Sequence, residues 1–169
     1  MFTVEEHWFR NLDQELITLI KELQKDTTFN KKWPNFKIVS AWRPNKTKDK
    51  PDWYIEKGRQ SQEELWNQKN KPYQVAKFSA HNVNPACAFD FDSGSGRSNH
   101  AACWADISKI AKSKNIKTTS TYPKGDPVHV QLSKYSRGSV SSSTLAALSA
   151  FDDVDKLVVE LKKSIAVTA

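Results

Sequence analysis

Leu12, Leu16, Leu19, Ile20 and Leu23 recur at three- and four-residue steps with charged residues between them, a spacing that predicts an amphipathic helix over residues 9–25. Trp33-Pro34-Asn35 interrupts that pattern. From Phe36 to Trp42 apolar positions alternate with small or polar ones, as in a strand with one buried face. A polar loop rich in Pro and Lys follows over 44–52. Residues 53–68, around Tyr54, Ile55, Leu65 and Trp66, return to helical character. Residues 78–81 and 86–91 read as a second strand region folded about the turn Asn84-Pro85, and 92–99 as a Gly/Ser loop. Trp104, Ile107, Ile110 and Ala111 share one face of a helix predicted over 101–114, and residues 129–132 form a short terminal strand. Helices and strands mix without a βαβ repeat. The expected class is therefore α+β, a small antiparallel sheet with flanking helices.

The pattern changes after Leu132. Residues 133–144 are Ser-rich and read as a linker. Beyond them Leu148, Phe151, Val154, Val158, Leu161 and Ile165 again step by three and four, which predicts a C-terminal amphipathic helical segment within 145–169. Such a helix either docks on the domain or mediates a contact. The expected organisation is a functional domain over 1–132, a linker over 133–144 and this segment, in a monomeric protein.

Composition narrows the class. The 169 residues, 38% hydrophobic with six tryptophans, suffice for one domain with a packed interior. No run approaches the roughly 18 apolar residues of a membrane span. The N-terminus has neither the basic start nor the apolar run of a secretory signal, so synthesis in a cytoplasm is expected. Cys87 and Cys103 are too few for a disulfide framework and read as small buried thiols. The formal charge of +7 is concentrated: residues 31–77 hold twelve Lys/Arg against five Asp/Glu, and 109–138 hold seven against one. A basic surface attracts polyanions such as nucleic acid, anionic membrane or cell wall. The cations are scattered singly, without a basic recognition helix or aromatic sheet motif, so nucleic acid is not the expected partner.

Two segments hold the candidate chemistry. Ser79-Ala80-His81 leads through Asn84-Pro85 to Ala88-Phe89-Asp90, and Asp126-Pro127-Val128-His129 follows further on. A hydrolytic zinc takes three protein ligands and leaves a position for water, while a carboxylate outside the ligand set handles protons. His81, Asp90 and His129 can be the ligands and Asp126 the proton handler. A spacing of nine between His81 and Asp90 excludes one helix and fits a strand and its return. His100 follows the Gly/Ser loop without a motif around it, and His7 is expected to be exposed.

Ala41-Trp42-Arg43-Pro44, Ser79-Ala80-His81, Ala88-Phe89-Asp90, Trp104 and Asp126-Pro127-Val128-His129 occur in this order across residues 38–132. Together they resemble the zinc D-Ala-D-Ala carboxypeptidases, a family that also includes phage L-alanyl-D-glutamate endolysins and vancomycin-resistance D,D-peptidases. The His-to-Asp spacing is nine rather than the family's common seven, and Gln131 stands where the family often has Glu. The resemblance implies a peptidase fold with zinc on the sheet, held by His81, Asp90 and His129. It further implies Asp126 as general base and then acid, Arg43 as the cation that binds the scissile carbonyl, and Ser79 as a substrate-orienting group. The implied activity is hydrolysis of an amide bond in the peptidoglycan stem peptide, L-Ala–D-Glu first and D-Ala–D-Ala second. The implied setting is a phage or prophage endolysin made in the host bacterial cytoplasm and acting at the wall after release. A tail-associated wall peptidase, a non-catalytic zinc-containing wall-binding module and a basic nucleic-acid-binding protein are the alternatives.

Overall fold

The computed structural model describes residues 1–68, 79–123 and 127–135. The chain divides into two compact units, one comprising Met1–Trp42 with Asn84–Lys134 and the other Arg43–Val83 with the chain from Tyr135 onward.

In the first unit α1 (Gln14–Lys25) buries Leu16, Leu19, Ile20 and Leu23 completely, as the periodicity predicts. The helix begins later than residue 9. A 3-10 turn covers Glu6–Phe9, and Asn11 then takes φ 55°. The Asn11 carbonyl accepts from Ala86 N (2.7 Å) and Asp13 N donates to Ala86 O (3.0 Å), which holds Leu12 extended. Asp13 caps α1 by accepting from Glu15 N at 2.9 Å. A second short helix, α2 (Thr27–Lys32), is absent from the periodicity because it is only six residues long. Asp26 starts it, accepting from Phe29 N at 2.7 Å.

Three strands form the antiparallel sheet in the order β1-β2-β3: β1 is Lys37–Ser40, β2 Ala88–Asp92 and β3 His129–Gln131. Ile38 pairs with Phe91 and Phe89 with Val130, and all four are buried. Phe36 stacks on Phe91 and meets Phe2 and Phe29 edge-on, an aromatic cluster that closes this side of the core. After β2, Gly94 adopts φ +71°, and a Cβ there would run into the Asn35 carbonyl, so the position requires glycine. The helix α5 (His100–Ser113) buries Cys103, Trp104, Ile107 and Ala111. Ion pairs Lys114–Glu22 and Lys32–Asp106, both 2.8 Å, join α5 to α1 and α2.

In the second unit the helix predicted over 53–68 is two: α3 (Asp52–Glu56) and α4 (Gln62–Asn67). Gly58 at φ 65° ends the first. The capping box Ser61-Gln62-Glu63-Glu64 starts the second, with Ser61 and Glu64 each accepting from the other's backbone N–H. Residues 79–81 form a turn rather than the expected strand, because the Asn82 side chain takes the Ser79 N–H (2.7 Å) that a strand partner would need. Phe78, residues 136–144 of the linker predicted over 133–144, and the predicted segment at 145–169 lie outside the described residues. No helix among the described residues is long and apolar enough to cross a membrane.

Candidate metal centre

Register places the first two donors. Asp90 and His129 are direct cross-strand partners, so their side chains rise from the same face of the β2–β3 ladder. Their neighbours Phe89 and Val130, one residue along, point the other way into the core. Period two thus fixes which face carries chemistry and which carries packing. Each donor side chain is 14% exposed, dry enough to favour binding of an ion yet open to solvent.

Asp90 Oδ1 lies 3.1 Å from His129 Nδ1, and the other ring nitrogen, Nε2, lies 2.9 Å from Gln131 Oε1. Gln131 sits two residues beyond His129 and so shares its face. In the tautomer that donates from Nε2 to the Gln131 amide oxygen, Nδ1 would be free to bind an ion shared with Asp90; without an ion, Nδ1–H donates to the Asp90 carboxylate. A polar neighbour on the remote ring nitrogen is what a metal-binding histidine would need to hold its orientation. From α5, Trp104 Nε1–H donates to the His129 carbonyl at 3.2 Å and fixes the strand backbone at this donor.

His81 belongs to the turn in the second unit, where it is 3% exposed. Its carbonyl accepts from Arg43 N at 2.9 Å. Two buried amides hold this turn. Asn82 accepts from Ser79 N (2.7 Å) and Ser79 Oγ (3.2 Å) and donates to the Arg43 carbonyl (3.0 Å). Gln62 accepts through Oε1 from Arg43 Nη1 (2.8 Å) and Asn82 Nδ2 (3.3 Å). Ser79, His81 and Arg43, drawn from separate stretches of sequence, are thereby knit into one cluster.

His81, Asp90 and His129 form a candidate metal-binding triad: one ligand atom from each lies within 4.8 Å of the other two. Zinc bonds of roughly 2.0–2.1 Å at tetrahedral angles put ligand atoms about 3.4 Å apart. The Asp90–His129 separation of 3.1 Å is close to this. Asp126 lies outside the described residues.

The remaining histidines and the cysteines take other places. His100 Nδ1 pairs with the buried Ser93 hydroxyl at 3.0 Å, closing the loop before α5. His7 is buried, contrary to expectation, because its ring packs on Trp8 while Nδ1 meets Glu5 Oε2 at 3.0 Å. Both cysteines are buried, and burial pushes each thiol up to about 12. Gln62 and Asn82 escaped sequence reading. Asn82 had a signal in the Ser-x-x-Asn spacing of a side-chain-closed turn, whereas Gln62, nineteen residues from Arg43, had none.

Removing the Gln131 amide tests the geometry around His129. Gln131→Leu is expected to weaken zinc binding by about 10–100-fold, measured by competition with a chromophoric chelator, and Gln131→Glu to restore it. Unchanged affinity in the leucine variant would show that this contact does not orient the ligand.

Set against known proteins, the sequence matches no protein-family model, and no curated protein matches it.

Proposed function

We propose that this protein is a zinc peptidase that hydrolyses an amide bond in the stem peptide of bacterial peptidoglycan, with L-Ala–D-Glu as the bond cut, in the manner of a phage or prophage endolysin. The observation that carries the reading is the convergence of His81, Asp90 and His129. Two imidazoles and one carboxylate suit a borderline-soft divalent ion and leave it a net positive charge. Bound there, zinc supplies Lewis-acid polarisation of the scissile carbonyl and acidifies water in the open position.

The protein's own groups supply the rest. Asp126 takes the proton from the attacking water as its oxygen bonds to the carbonyl carbon, then delivers a proton to the leaving amine as the C–N bond breaks. The Arg43 guanidinium donates to the carbonyl oxygen as negative charge grows on it. Its hydrogen bond to the buried Gln62 limits its rotamers before substrate arrives. Ser79, held by Asn82, orients the substrate or the turn that carries His81. The excess of basic residues concentrates the protein at an anionic wall.

The test is purified full-length protein on bacterial peptidoglycan, with and without a chelator, the released fragments identified by mass. Chelator-sensitive release of new amino termini at D-Glu is the expected result. Loss of a terminal D-Ala instead would make it a D-Ala-D-Ala carboxypeptidase. An intact wall in the presence of stoichiometric zinc would replace the enzyme with a wall-binding module.

A further inference from the structure

Beside His129 the first unit carries a groove of about 570 Å³, lined by residues 118–123 and by His129, Gln131 and Ser133. Its chemistry is unusual for its location. Residues 109–138 hold seven Lys/Arg against one acidic residue, yet no Lys, Arg, Asp or Glu lines the groove among the described residues. Six of the nine lining residues carry a hydroxyl, Thr118, Thr119, Ser120, Thr121, Tyr122 and Ser133, on a lining whose exposed surface is mostly apolar. The run is anchored on the ligand strand: Thr118 bridges to Leu132, and Thr119 N donates to Gln131 O at 3.0 Å. At its far end the Tyr122 ring packs edge-on against Trp104 at 5.6 Å, the same tryptophan that holds the His129 carbonyl.

An extended peptide would join such a site by adding to the edge of β3. The outward carbonyls of that edge are already used, Gln131 by Thr119 N and His129 by Trp104 Nε1. An ionic ligand would need a countercharge, and the described lining residues offer none. A neutral, hydroxyl-rich ligand meets the groove on its own terms, exchanging hydrogen bonds with short hydroxyl side chains and packing one face on an aromatic ring.

We propose that this groove is a glycan subsite that holds the amino-sugar strand to which the stem peptide is attached. The inference rests on the peptidase reading and deepens it. The L-Ala carbonyl is one residue from the muramyl sugar, so a sugar seated beside His129 brings that bond, rather than the distant D-Ala–D-Ala bond, to the metal centre. The subsite therefore selects wall-attached stems over free peptides.

Sugar binding is measured first on metal-free, full-length protein, so that no catalysis is required. Titration with N,N′-diacetylchitobiose, a neutral amino-sugar disaccharide, is expected to shift the amide resonances of Thr119, Thr121 and Tyr122. The double variant Thr119→Val/Thr121→Val, which keeps side-chain size, is expected to weaken that binding about tenfold or more. Hydrolysis is read as the ratio of kcat/KM on a disaccharide-bearing stem to that on the same stem without sugar, and the ratio should fall toward one in the variant. Absence of shifts, equal binding by the variant, or shifts produced by the sugar-free stem instead would overturn the subsite. Sugar binding without cleavage of either stem would sustain the subsite and remove the peptidase. Cleavage without sugar preference would do the reverse.

Discussion

If the proposed peptidase reading holds, Asp126→Asn is expected to lower kcat on peptidoglycan stems by about 10²–10⁴-fold while leaving one zinc bound per chain. Asparagine keeps the size and hydrogen-bonding shape of the side chain but cannot accept the proton of an attacking water. Asp90→Asn has a different signature. Asp90 faces His129 directly across the ladder at 3.1 Å and would supply the anionic donor of the triad, so its loss is expected to take the metal and the activity together. Metal stoichiometry by elemental analysis and kcat by product mass therefore separate a proton carrier from a ligand. Zinc lost from the Asp126 variant would make Asp126 a ligand, and undiminished kcat would move the general base elsewhere. The chain that follows Asp126 suits a proton carrier in one respect: Pro127 and Val128 form the turn into β3, and the Val128 carbonyl is pinned to Phe91 N at 3.0 Å.

Periodicity made the core legible because burial and repeat coincide there. Leu16, Leu19, Ile20 and Leu23 form one helix face and are all fully buried. Phe89 and Phe91 alternate with Asp90 and Asp92, and the same alternation that buries the rings presents the carboxylate. The α+β class and the antiparallel sheet followed from this. What failed was set by short-range polar contacts that no hydrophobic pattern reports. Asp13 and the backbone bonds of Ala86 shift the start of α1, and Gly58 with the Ser61 capping box splits the helix expected over 53–68. Asn82 bends residues 79–82 into a turn. In the candidate site, motif order named His81, Asp90 and His129, because the chain has only four histidines and Asp90 follows His81 in a recognisable spacing. Gln62 remained invisible, since a buried amide becomes meaningful only once folding sets it against Arg43. The hydroxyl groove was invisible for a similar reason: a Thr/Ser run reads as loop until β3 anchors it beside a histidine.

The two thiols give the second large effect. Cys87 and Cys103 are 2% and 0% exposed, and burial raises both to about 12, with Asp13 and Asp106 respectively opposing the thiolate as well. A free thiol near 8.5 is about one-quarter ionised at pH 8, whereas one at 12 is ionised to about one part in 10⁴. Alkylation of native protein by iodoacetamide at pH 8 should therefore run about three orders of magnitude slower than that of free cysteine. Activity should survive this reagent and disappear with a chelator, which separates a metal-dependent hydrolase from one with a cysteine nucleophile. The same shifts set a direction for stability. Folding favours the neutral thiol, so its contribution is fully present below the ordinary thiol value and is lost as pH rises toward 12. Each thiol removes about 1.4 kcal/mol per pH unit across that window. Both thiols act in the same direction, so stability falls as pH rises above the ordinary thiol range. Denaturant midpoints measured between pH 8 and 11 should fall, and Cys103→Ala should lessen that slope, costing about 1 kcal/mol below the ordinary thiol range and progressively less as pH rises above it. A slope unchanged by the substitution would mean that Cys103 ionises as readily in the native state as in the unfolded chain, and that α5 opens to solvent far below the cost of global unfolding.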